Sequence, residues 1–311
     1  MHFPVPAAIP YFGETMSLIT AIAWALAIIM FKKSGETVHP IGLNFSKDLL
    51  AAILFIPTIF IFRYELFRAA PARDYLILFI SGGLGIGVAD TLLFICLNRI
   101  GAGLTAIVDC LYSPFVIILS FLFLGETFNL SQVIGTAMIL SAVVIATYRR
   151  EPGPTDRRNL IIGVLLGALS LFFTAVGVVL VKPVLDRSPL LWVTEMRLAS
   201  GVAVLILVLA FHSRRGSILK SIVAAKHRTI TLVGSFIGGY IAMLLWLAGM
   251  KYTQASTAAV LNQTTNVFIF VFAAIFLKER INTQRTIGIV VAVLGALLVT
   301  FGRNLNFALA P

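Results

Sequence analysis

Ten runs of roughly twenty apolar residues, joined by short polar turns, constrain this chain more than any motif in it. They cover about 14–31, 41–62, 75–97, 103–124, 130–148, 160–181, 190–211, 229–250, 253–277 and 286–302. A helix needs about 20 apolar residues to cross a hydrocarbon core. Backbone amides and carbonyls inside lipid must be satisfied within the segment, so each run is predicted to be an α-helix. The expected fold is an all-α membrane protein with ten transmembrane helices. Composition agrees: the chain is 59% hydrophobic and 12% charged, with mean hydropathy +1.00. Soluble domains have about 25% charged residues. The opening MHFPVPAAIP lacks the basic stretch of a secretory leader, so the first run is expected to be retained as a span.

Several function classes drop out early. The net charge of +11 sits in short loops between apolar runs, the pattern that membrane topology produces. No nucleic-acid partner is expected. Cys96 and Cys110 lie in apolar runs without a CxxC, and His2, His39, His212 and His227 have no metal-ligand spacing. No metal, cofactor or catalytic residue is expected. The run SGGLGIGVADTLLF, residues 81–94, looks at first like a phosphate-binding turn. Its glycines fall inside an apolar span with no strand before them. They are read as sites of close helix approach, as are Gly163, Gly167, Gly177, Gly238 and Gly239.

The longest central break, Arg149 to Arg158, divides the spans five and five. The halves resemble each other. FLGETFN at 123–129 matches FLKERIN at 276–282, offset 153, and Gly135 and Thr147 meet Gly288 and Thr300 at the same offset. TAIV at 105–108 meets TAAV at 257–260, and Asn44 and Lys47 meet Thr194 and Arg197 at offset 150. Two five-helix modules are expected, 1–150 and 151–311. Five is odd, so the second module enters from the opposite face. Such inverted repeats place a binding site near the bilayer midplane in secondary transporters.

Six ionisable residues fall inside spans: Lys47, Asp48, Asp90, Asp109, Glu195 and Arg197. Unpaired at helix centres, they would together cost on the order of 15–20 kcal/mol. Asp90 lies ~6 Å from the middle of span 3. Either it faces a wet cavity and takes an amine or a proton, or it pairs with Lys47 or Arg197. Asp109 shares a helical face with Thr105, Tyr112 and Val116, with Ser113 beside it. Pro114 removes a hydrogen bond in that helix. Span 9 carries Asn262, Thr265 and Asn266 on one face, with Gln263 at its edge. These polar faces either line a pathway or join helices. Lys47 and Arg197 either snorkel to an interface or place a cation in the cavity. Asp48 points about 100° away from Lys47, so the two need not pair.

Glu126 and Glu279 are read as holding tight interhelical turns by accepting from backbone amides, with Asn129 and Asn282 capping the next helix. A gating salt bridge is the other reading. Trp192 has the position of an interface anchor. Trp24, Trp246 and Tyr240 are deep, either as cavity walls or as packing.

LTAIVDCLYSPFVIILSFLFLGETFNLSQVIGTAMIL in the first half resembles the EamA-type module of the drug/metabolite transporter superfamily. STAAVLNQTTNVFIFVFAAIFLKERINTQRTIGIVVAVLGALLV resembles the second module. Pro114, Glu126, Gly135, Glu279, Gly288, Lys47 and Arg197 carry the resemblance, which covers nearly the whole chain. It implies a basket around a central cavity supplied by spans 1, 3, 4, 6, 8 and 9. It also implies export of amino acids, other metabolites or drugs. Span 9 departs from the pattern, with Asn266 where span 4 has Pro114.

The expected function is therefore secondary transport, by alternating access, of small metabolites such as amino acids or related amphipathic compounds. Expected partners are membrane lipid, a small-molecule substrate and a proton as coupling ion. Two modules in one chain permit a monomer. The rival readings are a non-transporting sensor or assembly subunit and an intramembrane lipid-modifying enzyme. A bacterial inner (plasma) membrane is expected, with both termini on one side. The loops opposite the termini carry 15 Lys/Arg against 7, which puts the termini outside the cytoplasm. The family resemblance implies the reverse.

Overall fold

The computed structural model describes residues 11–124, 130–147, 156–252, 255–279 and 282–308. Every regular element among them is helical. The first seven are α1 (Phe12–Ser34), α2 (Pro40–Ile61), α3 (Ala72–Ile100), α4 (Ala102–Phe123), α5 (Leu130–Thr147), α6 (Arg157–Arg187) and α7 (Leu190–Phe211). A short helix follows, α8 (Arg215–Val223), then α9 (Arg228–Tyr252), α10 (Ala255–Phe276) and α11 (Thr283–Ala308). Helices α1 to α4, α6, α7 and α9 are long and apolar enough to span a bilayer. Helices α5, α10 and α11 carry shorter apolar stretches, Val133–Ala146, Leu261–Phe276 and Thr283–Leu298. These ten correspond to the ten runs in the sequence. The Glu126 turn lies outside the described residues.

Packing follows the repeat. Helix α1 lies against α9 and α10 of the second half, and its counterpart α6 lies against α3 and α4 of the first. Counterparts also meet directly, α2 with α7, α4 with α10 and α5 with α11, while α2 packs on α9 and α7 on α3. Exchanging the halves maps each of these pairs onto itself or another of them, as a two-fold arrangement requires. The halves interleave rather than stand side by side, so their shared surface runs through the centre of the bundle.

Local breaks in the helices fall where chemistry permits them. Helix α4 turns at Cys110 and Leu111, between Ala102–Asp109 and Tyr112–Leu124. Pro114 has no N–H to offer the Cys110 carbonyl, so the ladder opens one turn before it. Helices α3 and α9 each widen into a π-helical stretch, Gly83–Val88 and Phe236–Ala242. Widening frees backbone carbonyls, and in α3 Asn44 takes them up. Its amide donates to Ile86 O at 2.9 Å and to Gly87 O at 3.1 Å.

The glycine-rich run is packed backbone to backbone. Ser81 Oγ donates to Gly177 O at 2.6 Å, and a Cβ on Gly177 would lie 2.9 Å from Ser81 O. Helices α3 and α6 could not approach this closely with a side chain there.

Two features of the sequence reading change. Trp192 is fully buried rather than an interface anchor. Its indole donates to Leu66 O at 3.2 Å, and its ring meets Tyr75 and Arg68, so it pins the 62–71 connection. Helix α8, absent from the ten-run reading, buries Ile218 and exposes Leu219 and Val223.

Gly177→Val should force α3 and α6 apart and cost about 1–3 kcal/mol, read as a lower unfolding midpoint in detergent. Gly216→Ala, where a Cβ meets nothing within 4 Å, should leave the midpoint unchanged or raise it slightly. Equal midpoints for the two variants would contradict the close approach.

Candidate functional site

A cavity of about 130 Å³ lies where the halves interleave. Helix α1 contributes Thr20 and Trp24, and α6 contributes Ser170, Leu171 and Thr174. Asp90 and Leu93 come from α3, Asp109 and Tyr112 from α4, and Met243 and Trp246 from α9. Helix α10 adds Asn262, Gln263 and Thr265, and α7 adds Arg197. The walls are mostly apolar and aromatic, with a few polar groups converging, as small-molecule sites generally are.

The repeat offsets organise this lining. Thr20 and Trp24 correspond to Ser170 and Thr174 at offset 150, while aligning the π-helical stretches that start at Gly83 and Phe236 sets Asp90 and Leu93 against Met243 and Trp246. At the offset of 152 that aligns TAIV with TAAV, Asp109 and Tyr112 correspond to Leu261 and Thr264, each one residue before the lining Asn262 and Thr265. The scaffold is symmetric and the chemistry is not. Both lining carboxylates belong to the first half, and the lining guanidinium belongs to the second.

The two equivalent cations differ most. Lys47 and Arg197 are both fully buried, so neither snorkels. Lys47 does not line the cavity. It sits behind Asp90, in ion pairs with Asp90 Oδ2 and with Asp48 Oδ1, the latter at 2.8 Å. The Asp48 pair corrects the angular argument from the sequence. A long lysine chain sweeps back around its helix and reaches the neighbouring residue. Arg197 has Leu198 and Met243 at the positions equivalent to Asp48 and Asp90. Its Nε and Nη1 have no hydrogen-bond partner. Its guanidinium carbon lies 5.8 Å from the centre of the Trp246 ring, within cation–π range. An oriented, buried, under-bonded guanidinium at a cavity wall suits a planar oxyanion such as a carboxylate.

The other sequence candidates divide. Gln263 lines the cavity and also bonds behind it, donating to Ser113 Oγ at 2.5 Å and accepting from Asn266 Nδ2 at 2.7 Å. Asn266 does not line the cavity. It is buried behind α4, where it also reaches Cys110 Sγ at 3.4 Å. Tyr240 is likewise not a cavity wall. Its hydroxyl bonds Thr58 Oγ1 at 2.6 Å and its ring packs on Phe55, tying α9 to α2. Glu195 is buried with Oε2 unpartnered and lies outside the cavity lining.

Glu279 does accept from backbone amides, but from those of the other half. Its Oε1 takes Ala102 N at 2.7 Å and Oε2 takes Gly103 N at 3.0 Å. These are orphan donors at the start of α4, where the helix dipole also favours a carboxylate. Asn282 Oδ1 accepts from Arg285 N at 2.9 Å and so caps α11.

The sequence reading missed Asp48 as a partner and Thr20, Ser170 and Thr174 as lining. The offset of 150 applied to Trp24 points directly at Thr174. Among the described residues, no group of three His, Cys, Asp or Glu is arranged to hold a metal ion. The arrangement suits the holding of a polar solute with charges at both ends.

An integral membrane bundle of two like halves around a polar central cavity has the form of a solute transporter. Comparison with known proteins identifies which kind. The EamA-like transporter family matches the chain twice, over residues 11–148 and 161–301, and the chain belongs to that family. An Archaeoglobus fulgidus protein named as an uncharacterized transporter is 26% identical over 289 residues, covering 91% of this chain and 96% of that protein. The uncharacterized transporter YetK of Bacillus subtilis is 27% identical over 124 residues, covering 40% of this chain and 36% of that protein. A solved crystal structure shares the fold at TM-score 0.69 and 18% identity, covering 94% of this chain and 98% of its own.

Glu279→Ala should strand two amides and lower stability by about 1–3 kcal/mol. Glu279→Gln keeps an acceptor and should lose less. Unfolding midpoints in detergent distinguish these, and an unperturbed Glu279→Ala would contradict the capping role.

Proposed function

We propose that the protein is a secondary active exporter of small metabolites, amino acids or related amphipathic compounds, and not an enzyme. The observation that carries this reading is the cavity between the halves, lined by two carboxylates and by a guanidinium with two unpartnered nitrogens. A zwitterion presents the complementary charges, and Trp24, Trp246 and Tyr112 offer apolar surface for its remainder. Sites at the interface of inverted repeats are served by rocking one half against the other. The modules 1–150 and 151–311 are the bodies that would rock.

The lining carboxylates also support a proton as coupling ion, exchanged against the solute at Asp90 or Asp109. Helix α8 strengthens one orientation. Arg214, Arg215, Lys220, Lys226 and Arg228 are exposed around it, and positive loops face the cytoplasm. We place that face inside a bacterial plasma membrane and both termini outside, in a chain able to act as a monomer.

The test is uptake into proteoliposomes of metabolites first selected by thermal shift. Asp90→Asn should reduce flux about tenfold or more, as expected for loss of a charged contact to solute, while inserting normally. Wild-type flux in that variant would remove Asp90 from the site. Collapsing the pH gradient should reduce flux too, and unchanged flux would rule out proton coupling.

A further inference from the structure

The cluster behind the cavity contains one carboxylate more than its lysine needs. Asp48 is wholly buried, neither of its oxygens accepts a hydrogen bond beyond the Oδ1 ion pair to Lys47, and it shares that lysine with Asp90. A single aspartate would neutralise Lys47. For a second carboxylate taken out of water without hydrogen bonds, the desolvation penalty can exceed what a shared ammonium returns. The equivalent position in the second half is Leu198, so the scaffold does not require an acid there.

We propose that Asp48 is a reserve counter-ion, and that Lys47 is a tethered cation standing in for the ammonium group of the solute. This rests on the cavity being the solute site. In this structure, Lys47 holds both carboxylates. The Asp90 carboxylate is 13% exposed and lines the cavity, whereas Asp48 is sealed behind it. When an ammonium enters, it takes Asp90, and Lys47 remains with Asp48. Two ion pairs then replace one ammonium shared by two carboxylates. Without Asp48, the same exchange would strand a buried ammonium, and Asp90 would stay closed to ligand.

The second half completes the specificity. Arg197 has no acid at either equivalent position and keeps two unpartnered nitrogens, so it takes an anion with no exchange of partners. The ligand class is a compact molecule with an ammonium for Asp90 and a carboxylate for Arg197. Asp48 does not touch the ligand. It is a positioning residue acting through Lys47.

Calorimetric titration of the purified full chain with isoamylamine, L-leucine and 4-methylpentanoate separates the two ends. The wild type should bind all three, L-leucine most tightly. Asp48→Asn should weaken isoamylamine and L-leucine roughly 30-fold, equivalent to ~2 kcal/mol, and leave 4-methylpentanoate unchanged. The double variant Lys47→Met/Asp48→Asn removes the tethered cation with its reserve. It should recover isoamylamine binding to within about threefold of wild type. Asp48→Glu should stay close to wild type and serves if Asp48→Asn does not fold. The proposal is overturned if all three probes weaken together, if amine affinity is unchanged in Asp48→Asn, if the double variant fails to recover, or if the wild type binds no amine. Binding that follows the predicted pattern without L-leucine flux in proteoliposomes would support this inference and count against the carrier reading.

Discussion

Every polar group held in hydrocarbon must find its partner inside the protein, and the whole architecture follows from that constraint. It makes each apolar run a helix. It explains why Asn44 collects the carbonyls that the widened α3 releases, and why Glu279 reaches across the bundle to the bare amides of α4. Where the constraint is not met at the cavity wall, as at the Arg197 nitrogens, the proposed solute has a donor to meet; Glu195 Oε2 is unpartnered outside the cavity.

A duplicated scaffold with diverged filling is an economical way to build such a place. The two halves set the same positions around a common centre, so Lys47 and Arg197 arrive at equivalent depths. Divergence then decides their fates. Aspartates at 48 and 90 neutralise the first, while Leu198 and Met243 leave the second free. A duplicated scaffold thus carries an asymmetric set of charges around its cavity.

The parts visible in the sequence were those governed by length and repetition. Apolar runs fix the spans, and the drifting offset from 150 to 153 pairs the helices that pack. Pro114 marks the turn in α4 because a missing N–H acts locally. The parts that stayed hidden depend on how far a side chain reaches or on what lies across a helix interface. Asp48 sits 100° from Lys47 on a helical wheel, yet lysine is long enough to close that gap. Tyr240 has the sequence environment of a cavity wall, and only the position of Thr58 on α2 shows why it points elsewhere. The π-helical stretches in α3 and α9 leave no pattern beyond glycines that packing alone would explain.

The central claim is that one cavity between the halves serves both faces of the membrane in turn. The most direct measurement is reaction of a membrane-impermeant thiol reagent with Thr174→Cys, in a chain with Cys96 and Cys110 replaced by serine, in oriented vesicles. Labelling from the inside in one population and from the outside in the other, suppressed by bound solute in both, is the result expected. Labelling from a single face under every condition, or from neither, would contradict alternating access.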